Sequence, residues 1–282
     1  MNNYFNTVEG ENMKLIDMHC HVFPDQIAAH AINTLTQNCD YNPEVNATLE
    51  ETIRIQKEWG CRQFVMLDIA TSPQSVPTVN DFLIEHNDNK HIFSFGTIHP
   101  EYRFFKEELA RLEENGIKGI KFHPGYQNFI MDDPKMFPIY DEIFKRNMMI
   151  LFHSGFDPAY ADVDWCAPKR AKTLLRTFRK GRIILAHMGN CLGSDEVMRY
   201  LIGEDVYFDV SMAYLHMGKM KMELLIKAHG PDHFLYATDC PWSSGLKTQE
   251  TIASMNLLER DKEKIFYKNA ARILDIDERE VE

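Results

Sequence analysis

Apolar and polar positions follow two rhythms along this chain. Short apolar runs, rich in β-branched or aromatic residues, recur at 14–20, 63–69, 91–98, 116–123, 148–153, 182–188, 206–210 and 233–239. Runs of this length predict strands, and their near-continuous apolar character predicts burial on both faces. Between them lie helix-length segments of mixed polarity, such as 48–59, followed by Gly60, and 107–115, followed by Gly116. Glycine just past the last turn is a helix stop signal. Eight strands, each followed by a helix, predict an α/β chain folded as one (β/α)8 TIM barrel. The interval from His19 to Asp239, spread over seven repeats, is about 31 residues per unit, the size of one βα repeat. No Gly/Ser/Pro-rich tract interrupts the pattern, so residues 14–282 are expected to form a single domain. Residues 1–13 read as an N-terminal extension. A helix over 25–39 and a loop over 42–46 read as an insertion after strand 1 that forms a rim or lid.

Several of the predicted strands end on side chains that bind metals. His19 and His21 are separated by Cys20, and alternation along a strand turns both histidines to the same face. His153 closes the run Met149-Ile150-Leu151-Phe152, His187 closes Ile183-Ile184-Leu185-Ala186, and Asp239 closes Phe234-Leu235-Tyr236-Ala237-Thr238. In such a barrel the C-terminal strand ends share one face. The five side chains, on strands 1, 1, 5, 6 and 8, are therefore expected to converge on one metal site there, with strands 1 and 8 adjacent across the closure. Asp17, one layer deeper and facing inward, reads as an internal hydrogen-bond acceptor.

Composition narrows the partners. Of the 282 residues, 44% are hydrophobic, yet no stretch approaches the roughly 20 uninterrupted apolar residues of a membrane span. The start of the chain lacks the basic flank and apolar stretch of a signal peptide. The formal net charge is −11, and the basic residues cluster only at Lys169-Arg170 and over 176–182. Nucleic acid is therefore not an expected partner, and neither is a membrane. Six cysteines without a C-x-x-C pair read as reduced thiols in the cytoplasm. A small-molecule substrate is expected, with a homodimer as the assembly considered.

Six segments in order carry a resemblance: Ile16-Asp17-Met18-His19-Cys20-His21, Gly119-Ile120-Lys121-Phe122-His123-Pro124, Phe152-His153-Ser154-Gly155, Ala186-His187-Met188-Gly189-Asn190, Ala237-Thr238-Asp239-Cys240-Pro241-Trp242, and Asn269-Ala270-Ala271-Arg272-Ile273-Leu274. Together they resemble the amidohydrolase superfamily, in the branch that includes aminocarboxymuconate-semialdehyde decarboxylase, resorcylate-type decarboxylases and related metal-dependent hydrolases. The resemblance implies that His19, His21, His153 and Asp239 ligate one divalent ion. It also implies that His187 stands behind the ligands and handles protons or, in binuclear members, binds a second metal. Binuclear members of the superfamily carry a carbamylated lysine or a glutamate on strand 4. Here Lys121 shares a strand face with His123, so two ions are the alternative to one.

Neutral imidazoles with a carboxylate suit Zn²⁺, with Mn²⁺ also admissible. A bound ion of this kind can lower the pKa of a water to roughly 7. Asp239 would accept that proton and return it to the leaving group, while His187 orients the substrate oxygen or shares the transfer. The leading expectation is a metal-dependent hydrolase cleaving a small amide, lactone or ester-like bond. The alternative is a non-oxidative decarboxylase or hydratase of an unsaturated or aromatic carboxylic acid. Further alternatives are a TatD-like phosphodiesterase or nuclease, which Gly96-Thr97-Ile98-His99-Pro100 resembles although no strand-4 Gly-Glu pair is present, and a barrel whose metal is not catalytic.

Lys121, His123, His99, Trp165 and Trp242 are candidate substrate contacts. The loop aromatics Tyr126, Phe129, Tyr160, Trp165, Tyr214 and Trp242 are the candidate pocket wall. His30, His86, His91, His229 and His233 read as structural or solvated, and Asn269 as a tie for the last helix.

Overall fold

The computed structural model describes residues 13–37, 42–160 and 162–282. The extension, apart from Met13, and the end of the helix expected over 25–39 lie outside the described residues. Among the described residues there are eight strands: β1 (Ile16–Cys20), β2 (Gln63–Leu67), β3 (Ile92–Thr97), β4 (Gly119–Phe122), β5 (Met149–Phe152), β6 (Ile183–Leu185), β7 (Tyr207–Asp209) and β8 (Phe234–Leu235). They pair in parallel in sequence order as one sheet. The sheet closes on itself through backbone bonds from Met18 N–H to the Tyr236 carbonyl (3.0 Å), from Asp239 N–H to that of His19 (2.9 Å) and from His21 N–H to that of Cys240 (2.7 Å). The result is the expected (β/α)8 barrel.

The helices around the barrel and at its ends are α1 (Asp25–Thr36), α2 (Leu49–Glu58), α3 (Val76–His86), α4 (Phe105–Glu114), α5 (Phe137–Lys145), α6 (Pro168–Thr177), α7 (Ser194–Tyr200), α8 (Ala213–His216), α9 (Lys219–His229), α10 (Gly245–Ala253), α11 (Glu259–Glu263) and α12 (Asn269–Leu274). The stop signals act as read: Gly60 and Gly116 follow α2 and α4 with φ of +79° and +75°, a region that glycine enters without a Cβ penalty. At the other end of α2 the Thr48 hydroxyl accepts from Glu51 N–H, satisfying a donor that the first turn leaves free.

Both faces of the strands are buried, which explains their continuous apolar runs. Met18, Leu67, Phe95, Leu151, Ile184 and Leu235 fill the barrel interior together with Ala270, Ala271 and Leu274 of α12. Lys118 and Arg182, which precede β4 and β6, bond to the carbonyls of Leu274 and Ile273. Helix α12 therefore blocks the N-terminal end of the barrel and leaves the C-terminal strand ends open. Asn269 anchors that helix, its amide donating to the carbonyls of Pro231 and Phe234 at 2.8 Å each.

β1 departs from simple alternation. Its register against β2 shifts between Asp17 and Cys20, the mark of a bulge. Ile16 and Met18 face the barrel interior, and the shift turns His19 inward as well, while Cys20 packs outward beside Trp59. Asp17 consequently does not share the His19 face, contrary to the alternation argument. It is fully buried on the α2 side, where it accepts from Gln56 Nε2 (2.7 Å), the Thr238 hydroxyl (2.6 Å) and the backbone N–H groups of Thr238 (3.0 Å) and His19 (3.1 Å). Its role as an acceptor stands, and burial raises its pKa to about 6 in spite of these donors.

Candidate metal centre and active-site cavity

At the open end, His19, His21 and Asp239 meet. The Nε2 atoms of the two histidines are 3.2 Å apart, and each is 3.1 Å from Asp239 Oδ1. The opposite ring nitrogens are tied back: His19 Nδ1 lies 2.8 Å from Asp209 Oδ2 and His21 Nδ1 2.5 Å from the Leu67 carbonyl. Carboxylate and carbonyl oxygens only accept, so both imidazoles carry their proton on Nδ1 and present a bare Nε2 lone pair to the gap. Burial lowers the His19 pKa to about 4, with Lys121 pushing the same way. Burial raises the Asp239 carboxyl, but His19, His21 and His187 together outweigh it and hold the group well below the usual carboxylate range. Imidazole nitrogens and a carboxylate oxygen converging within hydrogen-bonding distance are a donor set that fits a divalent cation.

β6 and β8 are shorter than the apolar runs predict. His187 lies beyond Leu185 and Asp239 beyond Leu235, where the backbone enters the left-handed region with φ of +57° and +63°. A non-glycine residue held there costs on the order of 1 kcal/mol, and such residues cluster at functional sites. The turn aims both side chains into the mouth instead of along the wall.

His153 follows β5 as expected. Its Nδ1 is 3.1 Å from His187 Nε2, and its Nε2 is buried without a hydrogen-bond partner. It belongs to a neighbouring group with His123 and Asp157, stacked on His123 with ring centroids 4.0 Å apart. His123 has the reverse tautomer: its Nδ1 accepts from Tyr126 N–H at 3.3 Å, which leaves the proton on Nε2, 3.3 Å from Asp157 Oδ2. Both nitrogens of His123 are thus engaged within the protein. Burial lowers the pKa of His123 and of His153 well below the usual histidine value. Lys121 stands 3.1 Å from His19 Nε2, 1% exposed, its pKa lowered by burial to about 8.

These groups line a cavity of about 520 Å³. A family model described as amidohydrolase matches residues 16–276. The chain belongs to the amidohydrolase family. The amidohydrolase barrel is also similar to solved structures at low identity. A 5-carboxyvanillate decarboxylase from Sphingomonas paucimobilis has a TM-score of 0.69 at 15% identity, over 94% of this chain and 100% of that one. A 2,6-dihydroxybenzoate decarboxylase from Rhizobium has 0.70 at 15%, over 93% and 99%. A dihydroxybenzoic acid decarboxylase from a Polaromonas species, solved with manganese and the inhibitor 2-nitroresorcinol, has 0.71 at 16%, over 94% and 97%. At this identity the likeness shows a shared fold. No curated protein sequence matches the chain. Among the described residues no helix is long and apolar enough to cross a membrane.

The amidohydrolase cavity is walled differently from the loop-aromatic expectation. Tyr126 and Trp242 line it, as do Phe23, Ile69, Phe156 and Met212, which sequence reasoning did not single out. Phe129 is buried in the outer core. Trp165 donates to the Tyr160 carbonyl at 3.2 Å and packs against that core, outside the cavity wall. His99 follows β3, buried, its Nδ1 accepting from Glu101 N–H at 3.2 Å, and it too stands off the wall. His30, read as structural or solvated, is exposed on α1 at the cavity edge, so the helical part of the expected insertion forms a rim, while the loop over 42–46 stands off the cavity wall.

Three acidic groups were missed. Asp209 ends β7, Asp157 follows β5, and Asp68 follows β2 with a buried Oδ1 that has no partner. A sequence signal existed for Asp209, a lone charge inside the apolar run 206–210. Asp157 and Asp68 sit in loops, where an acidic residue is unremarkable.

Proposed function

We propose that this amidohydrolase-family barrel is a metal-dependent, non-oxidative decarboxylase of an unsaturated or aromatic carboxylic acid. One observation carries the reading: Lys121 is the only lysine or arginine among the described residues lining the cavity, and Phe23, Leu35, Ile69, Leu192, Met212 and Trp242 give the wall an apolar body. A flat, mostly apolar acid fits this arrangement, its carboxylate at the Lys121 end. A carboxylate drawn into such a cavity loses hydration, and its departure as CO2 disperses the charge. The solved decarboxylases of the same fold support this reading over hydrolysis.

One divalent ion, zinc or manganese, is assigned to His19, His21 and Asp239, with His153 as the fourth ligand. The ion when bound supplies Lewis-acid stabilisation of negative charge. The protein's own groups do the rest. As the carbon–carboxylate bond breaks, its electron pair stays on the substrate carbon, and a proton must arrive there. Asp239 and His187 are the groups at the strand ends able to carry it. Lys121 and Trp242 contact the substrate, Lys121 through charge and Trp242 through its face. The buried free thiols Cys20, Cys61, Cys166 and Cys240 suit a reducing compartment such as the cytoplasm.

The test is to incubate metal-loaded protein with 2,6-dihydroxybenzoate, 5-carboxyvanillate and unsaturated dicarboxylic acids, following CO2 release, in parallel with amide and lactone opening. CO2 release that disappears on metal removal is the expected result. Amide or lactone turnover without CO2 release from any acid would restore the hydrolase reading.

A further inference from the structure

We infer that Asp209 is a positioning residue that sets the proton placement of three imidazoles at once and thereby makes the site competent to bind its cation. The carboxylate is fully buried at the end of β7. Oδ2 lies 2.8 Å from His19 Nδ1. Oδ1 accepts from His187 N–H (3.0 Å), Ser211 N–H (3.1 Å) and the Ser211 hydroxyl (2.5 Å).

The last contact starts a chain. Two oxygens this close need a proton between them, and an ionised carboxylate has none, so the Ser211 hydroxyl proton is committed to Asp209. Ser211 Oγ then meets His187 Nδ1, 2.9 Å away, only as an acceptor, and the Ser211 carbonyl backs it at 3.4 Å. His187 therefore carries its proton on Nδ1, and its Nε2 is a bare acceptor. That nitrogen is 3.1 Å from His153 Nδ1, so His153 must donate from Nδ1 and keeps a bare Nε2. The orphaned, buried Nε2 of His153 is the end of this chain. His19 is fixed directly, His187 through Ser211, and His153 through His187. A cation needs bare Nε2 lone pairs on its histidines, and outer partners of this kind typically change metal affinity 10- to 100-fold. One carboxylate thus couples the metal ligand on β1 to the proton carrier beyond β6.

The inference rests on the metal-site reading, but its main readout is taken on metal-free protein without substrate, so it fails or survives independently of decarboxylation. Asp209→Asn keeps the shape and replaces one acceptor oxygen by a donor, which must oppose either His19 Nδ1–H or the His187 and Ser211 donors. The expected outcome is Zn²⁺ affinity of the stripped protein reduced by about 10- to 100-fold. Imidazole ¹⁵N spectra should show His19 or His153 moving its proton to Nε2, with circular dichroism unchanged. Ser211→Ala should leave His187 Nδ1 only the longer contact to the backbone carbonyl of residue 211 and so loosen His187 and His153 while leaving His19 fixed, and Ser211→Thr should restore the pattern. Unchanged imidazole spectra in Asp209→Asn would overturn the inference. If that variant does not fold, Ser211→Ala decides: a wild-type spectrum for His153 and His187 overturns the inference equally.

Discussion

Lys121 Nζ lies 3.1 Å from His19 Nε2, the nitrogen that also faces Asp239 Oδ1 at 3.1 Å. The lysine ammonium thus donates into the lone pair assigned to the cation, and the two compete for it. Lys121→Met should bind Zn²⁺ more tightly than wild type at neutral pH, with one ion per chain in both, and lose turnover because the cavity has lost its lysine. Elemental analysis with a competitive chelator titration checks this. Two ions in wild type and one in the variant would instead make Lys121 a bridging carbamate.

His19→Ala combined with His21→Ala should empty the site, from about one ion per chain to near none, since two of the converging donors are gone. The barrel should persist, because the interior layer of Met18, Leu67, Phe95 and Leu151 lies below these residues and does not use them. Metal content and far-ultraviolet circular dichroism measure the two halves. Retained metal in a folded double variant would remove this pair from the ligand set.

Asp239→Asn and His187→Asn separate chemistry from folding. Asparagine keeps the size of Asp239 and loses its ability to take and return a proton, so turnover should fall by about 10²- to 10⁴-fold. His187→Asn should lose turnover while keeping more metal than His153→Asn does. Parallel kinetics and metal counts on the three variants check the order. Equal metal loss in the two histidine variants would make His187 a ligand.

A pH-dependent test lies far from the site. Asp88 Oδ1 accepts from the backbone N–H groups of Lys90, His91 and Ile92 at 2.8 Å each, bracing the turn before β3. Burial pushes this carboxyl up, but the three donors outweigh it and hold its pKa below the usual value. A depressed folded pKa means that its stabilisation is present above the unfolded value near 4 and is lost as pH falls through the folded one. Asp88→Ala should therefore be less stable by about 1 kcal/mol at neutral pH, a figure kept small because the group is half exposed. The difference should shrink toward about pH 3. Urea midpoints at the two pH values measure it, and a gap that widens on acidification would contradict the assigned hydrogen bonds.

The barrel was legible because its signals are local. Strand runs, glycine stops and the repeat length each depend on neighbours in sequence, and all eight strands fall inside the predicted runs. Strand lengths were less legible. β8 keeps only Phe234–Leu235 of the run 233–239, because beyond Leu235 its pairing with β7 ends and the chain, still bonded to β1, turns Asp239 into the mouth, and an apolar run continues through such a turn unchanged. Alternation also misplaced Asp17, since a bulge depends on the register of a partner strand.

By itself the sequence determined which side chains reach the open end of the barrel: His19, His21, His153, His187 and Asp239 follow apolar runs, and parallel strands bring such ends together. Tertiary structure alone decided what each of those groups can do. The proton on an imidazole goes to whichever nitrogen faces an acceptor, and the acceptor for His19 is Asp209, 190 residues away. His123 and His153 look alike as strand endings, yet a backbone N–H on one and His187 on the other give them opposite tautomers. No local pattern encodes those partners, because hydrogen-bond direction is a property of the packed neighbours and not of the residue.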